Sequence, residues 1–285
     1  MLAYRHAFHA GNHGDVLKHI VLAETLRYMG EKDKPYTYID THAGAGGYSL
    51  ESRYAQKRGE FENGLGRLWD GGPWPEAVER YLQLVRDFNG GDGAPLKQYP
   101  GSPAIAQALL RPTDPMRLFE VHPTDERILA TFLADRRLAK VHMSDGFLGL
   151  PRELPPPSRR GVVLVDPSYE IKTDYGRVVN ALREVMVKFA QAVVLVWYPM
   201  VQSVEAVQLP KRLKTAAAAA PKGWLHAALQ VQAADERGYG MMGSGLFVLN
   251  PPHVLKPMLE GVLPLLAHTL SQVDQPRFVL ESSGG

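Results

Sequence analysis

Two unbroken apolar runs, Val162-Val163-Leu164-Val165 and Val193-Val194-Leu195-Val196, constrain this chain more than any other feature. A strand with one wet face alternates apolar and polar residues, so a run without alternation is a strand covered on both faces. Short β-branched runs alternating with helical stretches then define an α/β chain with a mostly parallel sheet between layers of helices. Seven strands are expected, at about 36 to 41, 116 to 121, 139 to 143, 161 to 166, 192 to 198, 224 to 232 and 244 to 250. Helices are expected at about 14 to 29, 100 to 111, 124 to 136, 176 to 189 and 202 to 219. The last of these ends in an alanine run, a strong helix former, and stops at Pro221 and Gly223. The final two strands are joined by a stretch holding Gly238, Gly240, Gly243 and Gly245 instead of a helix, which predicts an antiparallel pair.

The alternation fails between the glycine turn at 44 to 47 and the strand at 116. That stretch holds Trp69, Trp74, Gly71-Gly72, Pro73 and Gly90-Gly91. Residues 75 to 89 read as a helix whose apolar face is Val78, Tyr81, Leu82 and Val85. The expectation is one α/β domain made of 1–47 and 99–285, interrupted by a small helical subdomain at 48–98. A chain of 285 residues has room for both.

Composition excludes several classes. Hydrophobic residues are 45% and charged residues 22%, values of an ordinary globular chain that argue against disorder or a fibre. No long apolar run or apolar leader appears, which predicts a chain that neither crosses a membrane nor is exported. With no cysteine, disulfides and thiolate metal sites are impossible, which fits a cytoplasmic setting. A net charge of +2 gives no general attraction to nucleic acid. Local basic stretches remain, at Arg5 with His6, His9 and His13, at Arg159-Arg160, and at Lys211-Arg212 with Lys214; each also reads as ordinary solvated surface.

Tyr38-Ile39-Asp40-Thr41-His42-Ala43-Gly44-Ala45-Gly46-Gly47 is a strand running into a glycine-rich turn. Such glycines let backbone approach a cofactor, yet Ser49 stands where a dinucleotide fingerprint needs its third glycine. The acid that should follow for ribose hydroxyls is Glu120, displaced along the chain by the insertion. Ser144-Asp145-Gly146 places a further acid after the third strand, where it could accept from an adenine amine; Asp-Gly also favours a plain turn.

The sharpest motif is Asp166-Pro167-Ser168-Tyr169 at the end of the first apolar run. It resembles the Asp-Pro-Pro-Tyr motif of amino methyltransferases that act on adenine. An adenine amine is a poor nucleophile because its lone pair is delocalised, so the site must accept both amine hydrogens; the Asp166 carboxylate and Pro167 carbonyl are the two acceptors. Tyr169 would stack on a base turned out of its helix. The proline pushes Asp166 to extended backbone and fixes its direction. Ser168 departs from the pattern by removing the second ring that restrains the first. Asn250-Pro251-Pro252-His253 is a rival motif, lacking the stacking aromatic and also readable as a strand-ending turn.

The N-terminal stretch Tyr4-Arg5-His6-Ala7-Phe8-His9-Ala10-Gly11-Asn12-His13-Gly14-Asp15-Val16-Leu17-Lys18-His19 is more specific than any of these. With Thr41 to Gly46, Tyr99-Pro100-Gly101-Ser102-Pro103, Glu120-Val121-His122-Pro123 and Lys172-Thr173-Asp174-Tyr175, it is similar to the bacterial 23S rRNA (adenine-N6) methyltransferase J family. The resemblance implies a Rossmann-like class I methyltransferase, monomeric and metal-free, that uses S-adenosylmethionine to methylate an adenine N6 in 23S rRNA, protein-free or early in assembly. It implies that Lys18, His19, His42, Ser102, Glu120, Asp145 and Gly146 bind S-adenosylmethionine, that Asp166 is the catalytic acceptor, and that Tyr4 touches the RNA or gates the site. Three other readings stay open: a DNA adenine-N6 methyltransferase, a nicotinamide dehydrogenase and a non-catalytic RNA-binding relative. His9 and His13, four apart, also suggest a metal, although no carboxylate pair or cysteine accompanies them.

Overall fold

The computed structural model describes residues 6–235 and 240–283; Tyr4 lies outside them. Helix α1 (His13–Gly30) leads into strand β1 (Thr37–Asp40) and short β2 (Gly47–Ser49). Helices α2 (Arg53–Arg58), α3 (Gly66–Trp69) and α4 (Glu76–Phe88) follow before β3 (Gln98–Pro100), which pairs antiparallel with β2. The alternating part continues through α5 (Ser102–Leu109), β4 (Met116–Phe119), α6 (Pro123–Phe132), β5 (Ala139–His142), α7 (Gly146–Gly149), β6 (Gly161–Val165), α8 (Thr173–Phe189), β7 (Val193–Met200) and α9 (Val204–Ala216). Strands β8 (Trp224–Gln230) and β9 (Gly243–Leu249), helix α10 (Leu255–Leu270) and β10 (Arg277–Ser282) complete it.

The main sheet has eight strands in the order β10-β8-β9-β7-β6-β1-β4-β5. From β7 to β5 neighbouring strands are parallel, and β9, β8 and β10 extend the sheet by antiparallel pairing. The run Val162–Val165 is buried along its whole length at the middle of the sheet, the environment its lack of alternation requires.

The expected seven strands are corrected to eight by β10. Its central Phe278 and Val279 are half exposed on an edge strand, so its sequence carries neither a buried run nor a clean alternation. Helix α10 was also not expected, because Pro257, Gly261 and Pro264 interrupt its sequence. An interior proline costs about 3 kcal/mol. Burying Leu255, Leu259, Val262, Leu263, Leu266 and Leu270 contributes roughly 1.5 to 3 kcal/mol each, and that sum decides the outcome.

Helix α1 is covered on nearly every side and packs on α4, α5, α10 and β9. The Asn12 side chain caps it by accepting from the Asp15 amide at 3.0 Å. Burial of the whole helix carries four polar residues of its first turns, His13, Asp15, Lys18 and His19, under cover. Leu65, Leu68, Val78, Tyr81, Leu82 and Val85, all between β2 and β3, belong to the same apolar core as α1 and the sheet.

Parallel strands end on one edge, the place where open α/β sheets bind ligands. Asp40, Glu120, Asp145 and Asp166 end or follow β1, β4, β5 and β6 on that edge. Strand β9 runs the other way, with Leu249 opposite Val194, so Asn250 falls at the far edge. Its side chain donates to the Ala190 and Ala192 carbonyls at 2.7 and 2.8 Å, making the rival motif a turn that ties strand ends together.

Candidate active site

The turn after β1 is built by glycine. Gly44 and Gly46 have φ of +63° and +85°, and a Cβ on Gly44 would lie 2.1 Å from the Tyr48 hydroxyl oxygen. The Gly44 amide donates to Glu120 at 2.8 Å and the His122 amide donates to the other Glu120 oxygen at 2.7 Å. Burial raises the Glu120 pKa, although these amides oppose it. At the third strand end the Asp145 side chain caps α7 by accepting from the Phe147 amide at 2.9 Å. A Cβ on Gly146 would sit 1.9 Å from the Thr41 carbonyl oxygen, so only glycine lets this turn pack on the end of β1.

Asp145 also pairs with Arg177 of α8, whose guanidinium lies 4.3 Å from the Phe147 ring centroid. Partial burial pushes the Asp145 carboxyl up, and Arg177 with the helix amides outweighs that, leaving its pKa below the ordinary value. His42 packs edge-on against Phe147, with ring centroids 4.8 Å apart. Burial lowers its pKa to about 3, so the ring is neutral near pH 7. Asp40, unmarked in the sequence, accepts from Ser102 Oγ at 2.7 Å and from the Tyr38 hydroxyl at 2.8 Å. Burial raises its pKa to about 6.

Lys18 Nζ lies 2.5 Å from Asp166 Oδ2 and 2.8 Å from Asp15 Oδ1. Burial alone would favour a neutral amine; the two carboxylates overcome it and raise the lysine pKa. Asp15 is held further by His6 at 2.9 Å and by the Gly11 amide at 2.9 Å. This relay was missed in the sequence, although Asp15 and Lys18 are three apart and therefore share a helix face. Tyr169 takes φ of +55°, a left-handed backbone that a bulky residue adopts only when its surroundings impose it. Its hydroxyl donates to the Trp197 carbonyl at 2.6 Å.

Three hollows meet here. The first, about 120 Å³, is lined by His19, His42, Gly44, Ser102 and Glu120. A hollow of about 360 Å³ shares His42, Glu120 and Ser168 with it and adds Asp145, Gly146, Pro167 and Arg177, so the two form one trough. A cavity of about 490 Å³ lies on the other side, walled by His13, Tyr169, Tyr175 and Trp197. His6, Lys18, Asp166 and Ser168 line both the first hollow and this cavity. The seven residues expected around a cofactor thus gather on the trough. Asp166 and Tyr169 face the cavity, and Pro167 lines the far hollow. His9 contacts Glu60 at 2.8 Å, and burial lowers the His13 pKa to about 4.

The family model described as "Ribosomal RNA large subunit methyltransferase D, RlmJ" matches residues 33–279. A curated relative from Escherichia coli (strain K12), named "Ribosomal RNA large subunit methyltransferase J", is 42% identical over 275 residues, 93% of each chain. A relative of the same name from Haemophilus influenzae is 42% identical over 279 residues, covering 95% of this chain and 94% of that one. The crystal structure of a protein from Legionella pneumophila is 31% identical with a TM-score of 0.86, covering 97% of this chain and 99% of that one. Identity at this level along nearly the whole length is shared descent, and the chain belongs to the ribosomal RNA large subunit methyltransferase J family.

Proposed function

We propose that the chain transfers a methyl group from S-adenosylmethionine to the N6 amine of an adenine in 23S ribosomal RNA, with the base turned out of its stack into the cavity beside Tyr169. The observation that carries this reading is Asp166, standing at the end of β6 in the wall shared by the trough and that cavity. A group there reaches a donor on one side and an acceptor on the other.

The trough residues suit S-adenosylmethionine. Glu120 beside the glycine turn matches ribose hydroxyls, and Asp145 with Gly146 matches an adenine amine. At an amino-acid end Lys18, His19 and His42 offer positive or donor groups, while Ser102, whose hydroxyl proton goes to Asp40, offers an acceptor oxygen. Among the described residues the buried Nε2 of His19 has no partner, which suits a polar ligand in the trough. When bound, S-adenosylmethionine supplies a methyl carbon made electrophilic by its sulfonium.

The chain's own residues prepare the amine. Lys18 holds Asp166 Oδ2, leaving Oδ1 to accept one N–H and draw the lone pair out of the ring. Pro167, which lines the far hollow and not the cavity, accepts the other N–H only once its carbonyl turns toward the base. Asp166 then balances the positive charge that grows on nitrogen and takes up its proton. Tyr169 lies under the base, its ring fixed through the Trp197 carbonyl, and a stacked base is worth about 1 to 3 kcal/mol. Transfer needs the reacting atoms about 3 to 3.5 Å apart and in line, so the wall position of Asp166 is the requirement that matters. Residues 48–98 are read as an insertion in the domain formed by 1–47 and 99–285, and the enzyme as a cytoplasmic monomer acting on protein-free or early-assembly RNA.

Methyl transfer from labelled S-adenosylmethionine to protein-free 23S rRNA, with DNA of matching sequence alongside, tests the reading. The expected result is label on RNA only, recovered as N6-methyladenosine. Asp166→Asn should lower the single-turnover rate about a hundredfold while cofactor affinity holds. Label on DNA would favour the DNA enzyme, and cofactor binding without transfer would favour a non-catalytic RNA-binding relative.

A further inference from the structure

His19 is wholly buried and lines the first hollow, yet among the described residues its Nε2 has no hydrogen-bond partner. Its Nδ1 is 2.7 Å from the Tyr99 hydroxyl, and the Tyr99 hydroxyl is 3.1 Å from the Tyr81 hydroxyl. Both tyrosines are wholly buried, so the two phenol protons must find their acceptors inside this chain of three groups. Burial keeps both phenols protonated by raising their pKa values. It keeps the imidazole neutral as well, with the nearby Lys18 charge acting in the same direction.

Those constraints leave one arrangement in which both buried phenol protons find an acceptor. Among the described residues the Tyr81 hydroxyl has only the Tyr99 oxygen as a hydrogen-bond partner, so Tyr81 O–H donates to Tyr99. Tyr99 then donates to His19 Nδ1, and the single proton of the neutral ring sits on Nε2. The reverse order would leave the Tyr81 O–H buried without an acceptor, which is the costlier state.

We infer that Tyr81 and Tyr99 are positioning residues that fix the proton of His19 on Nε2 and present it as a donor to the carboxylate of S-adenosylmethionine. The inference rests on reading the trough as the cofactor site. It gives the segment between β2 and β3 a part in binding: Tyr81 sits on α4 and acts on the ligand through two other side chains without touching it. A change in α4 that shifts Tyr81 would alter cofactor affinity with no change in the lining of the trough.

Two measurements on the full chain test this. Nitrogen-15 NMR of labelled histidine should show His19 with a protonated Nε2 and an unprotonated Nδ1, and Tyr99→Phe should mix the two forms. Calorimetry with S-adenosylhomocysteine, which keeps the amino-acid end, should show Tyr99→Phe weakening binding about tenfold and Tyr81→Phe changing it in the same direction by less. With 5′-methylthioadenosine, which lacks that end, both variants should bind within about twofold of the parent. An unprotonated Nε2, an equal loss for the two ligands, or no loss for either overturns the inference. A parent protein that binds neither ligand overturns the reading of the trough itself, and the NMR measurement still decides the proton relay.

Discussion

Lys18 is 4% exposed and stands between two carboxylates, so its charge and theirs are bound together. Removing one partner of a buried pair leaves an uncompensated charge, typically at a cost of about 3 to 5 kcal/mol. Lys18→Met should therefore lower the unfolding free energy in urea at pH 7 by about 3 kcal/mol. His13 supplies a second prediction. Its folded pKa of about 4 lies below the unfolded 6.5, so the unfolded chain binds more protons and stability falls as pH drops below 6.5. From pH 7 to pH 5 the loss is about 2 kcal/mol for this group, and His13→Asn should show a correspondingly shallower decline in urea titrations. Asp40, raised to about 6, acts in the opposite sense and adds stability over the same interval. Asp166 was legible because its neighbours form a motif. Asp40 and Arg177 were not, because their partners are brought to them by folding: Ser102 reaches Asp40 across 62 positions, and Arg177 reaches Asp145 across 32.

At the scale of elements, the turn from β6 into α8 decides how Asp166, Pro167 and Tyr169 are aimed. Ser168 lines all three hollows at their meeting point and stands where the related motif has a second proline. Proline there would restrict Pro167 to extended backbone and hold its carbonyl in one direction. Ser168→Pro should raise the single-turnover methyl-transfer rate; an unchanged or lower rate would show that stiffness at this position does not limit the reaction. The buried strands and the helices between them were legible because their periodicity is local. Helix α10 and strand β10 were not, because their stability is tertiary: one overcomes its prolines by covering the sheet, and the other is recruited by the edge that β8 offers.

For the molecule as a whole, one sheet edge collects the chemistry and strand direction sorts the motifs. Asp-Pro-Ser-Tyr ends a parallel strand and faces two cavities, whereas Asn-Pro-Pro-His ends an antiparallel strand and ties the opposite edge. A net charge of +2 gives no general attraction to RNA, which leaves recognition to shape and to local groups. The most direct measurement is a crystal structure with a bisubstrate analogue that links the amino-acid end of S-adenosylmethionine to the N6 of adenosine. The account predicts the amino-acid end in the trough by His19 and Ser102, the purine over Tyr169, and N6 within hydrogen-bonding distance of Asp166. A purine bound outside that cavity, or an N6 out of reach of Asp166, would contradict it.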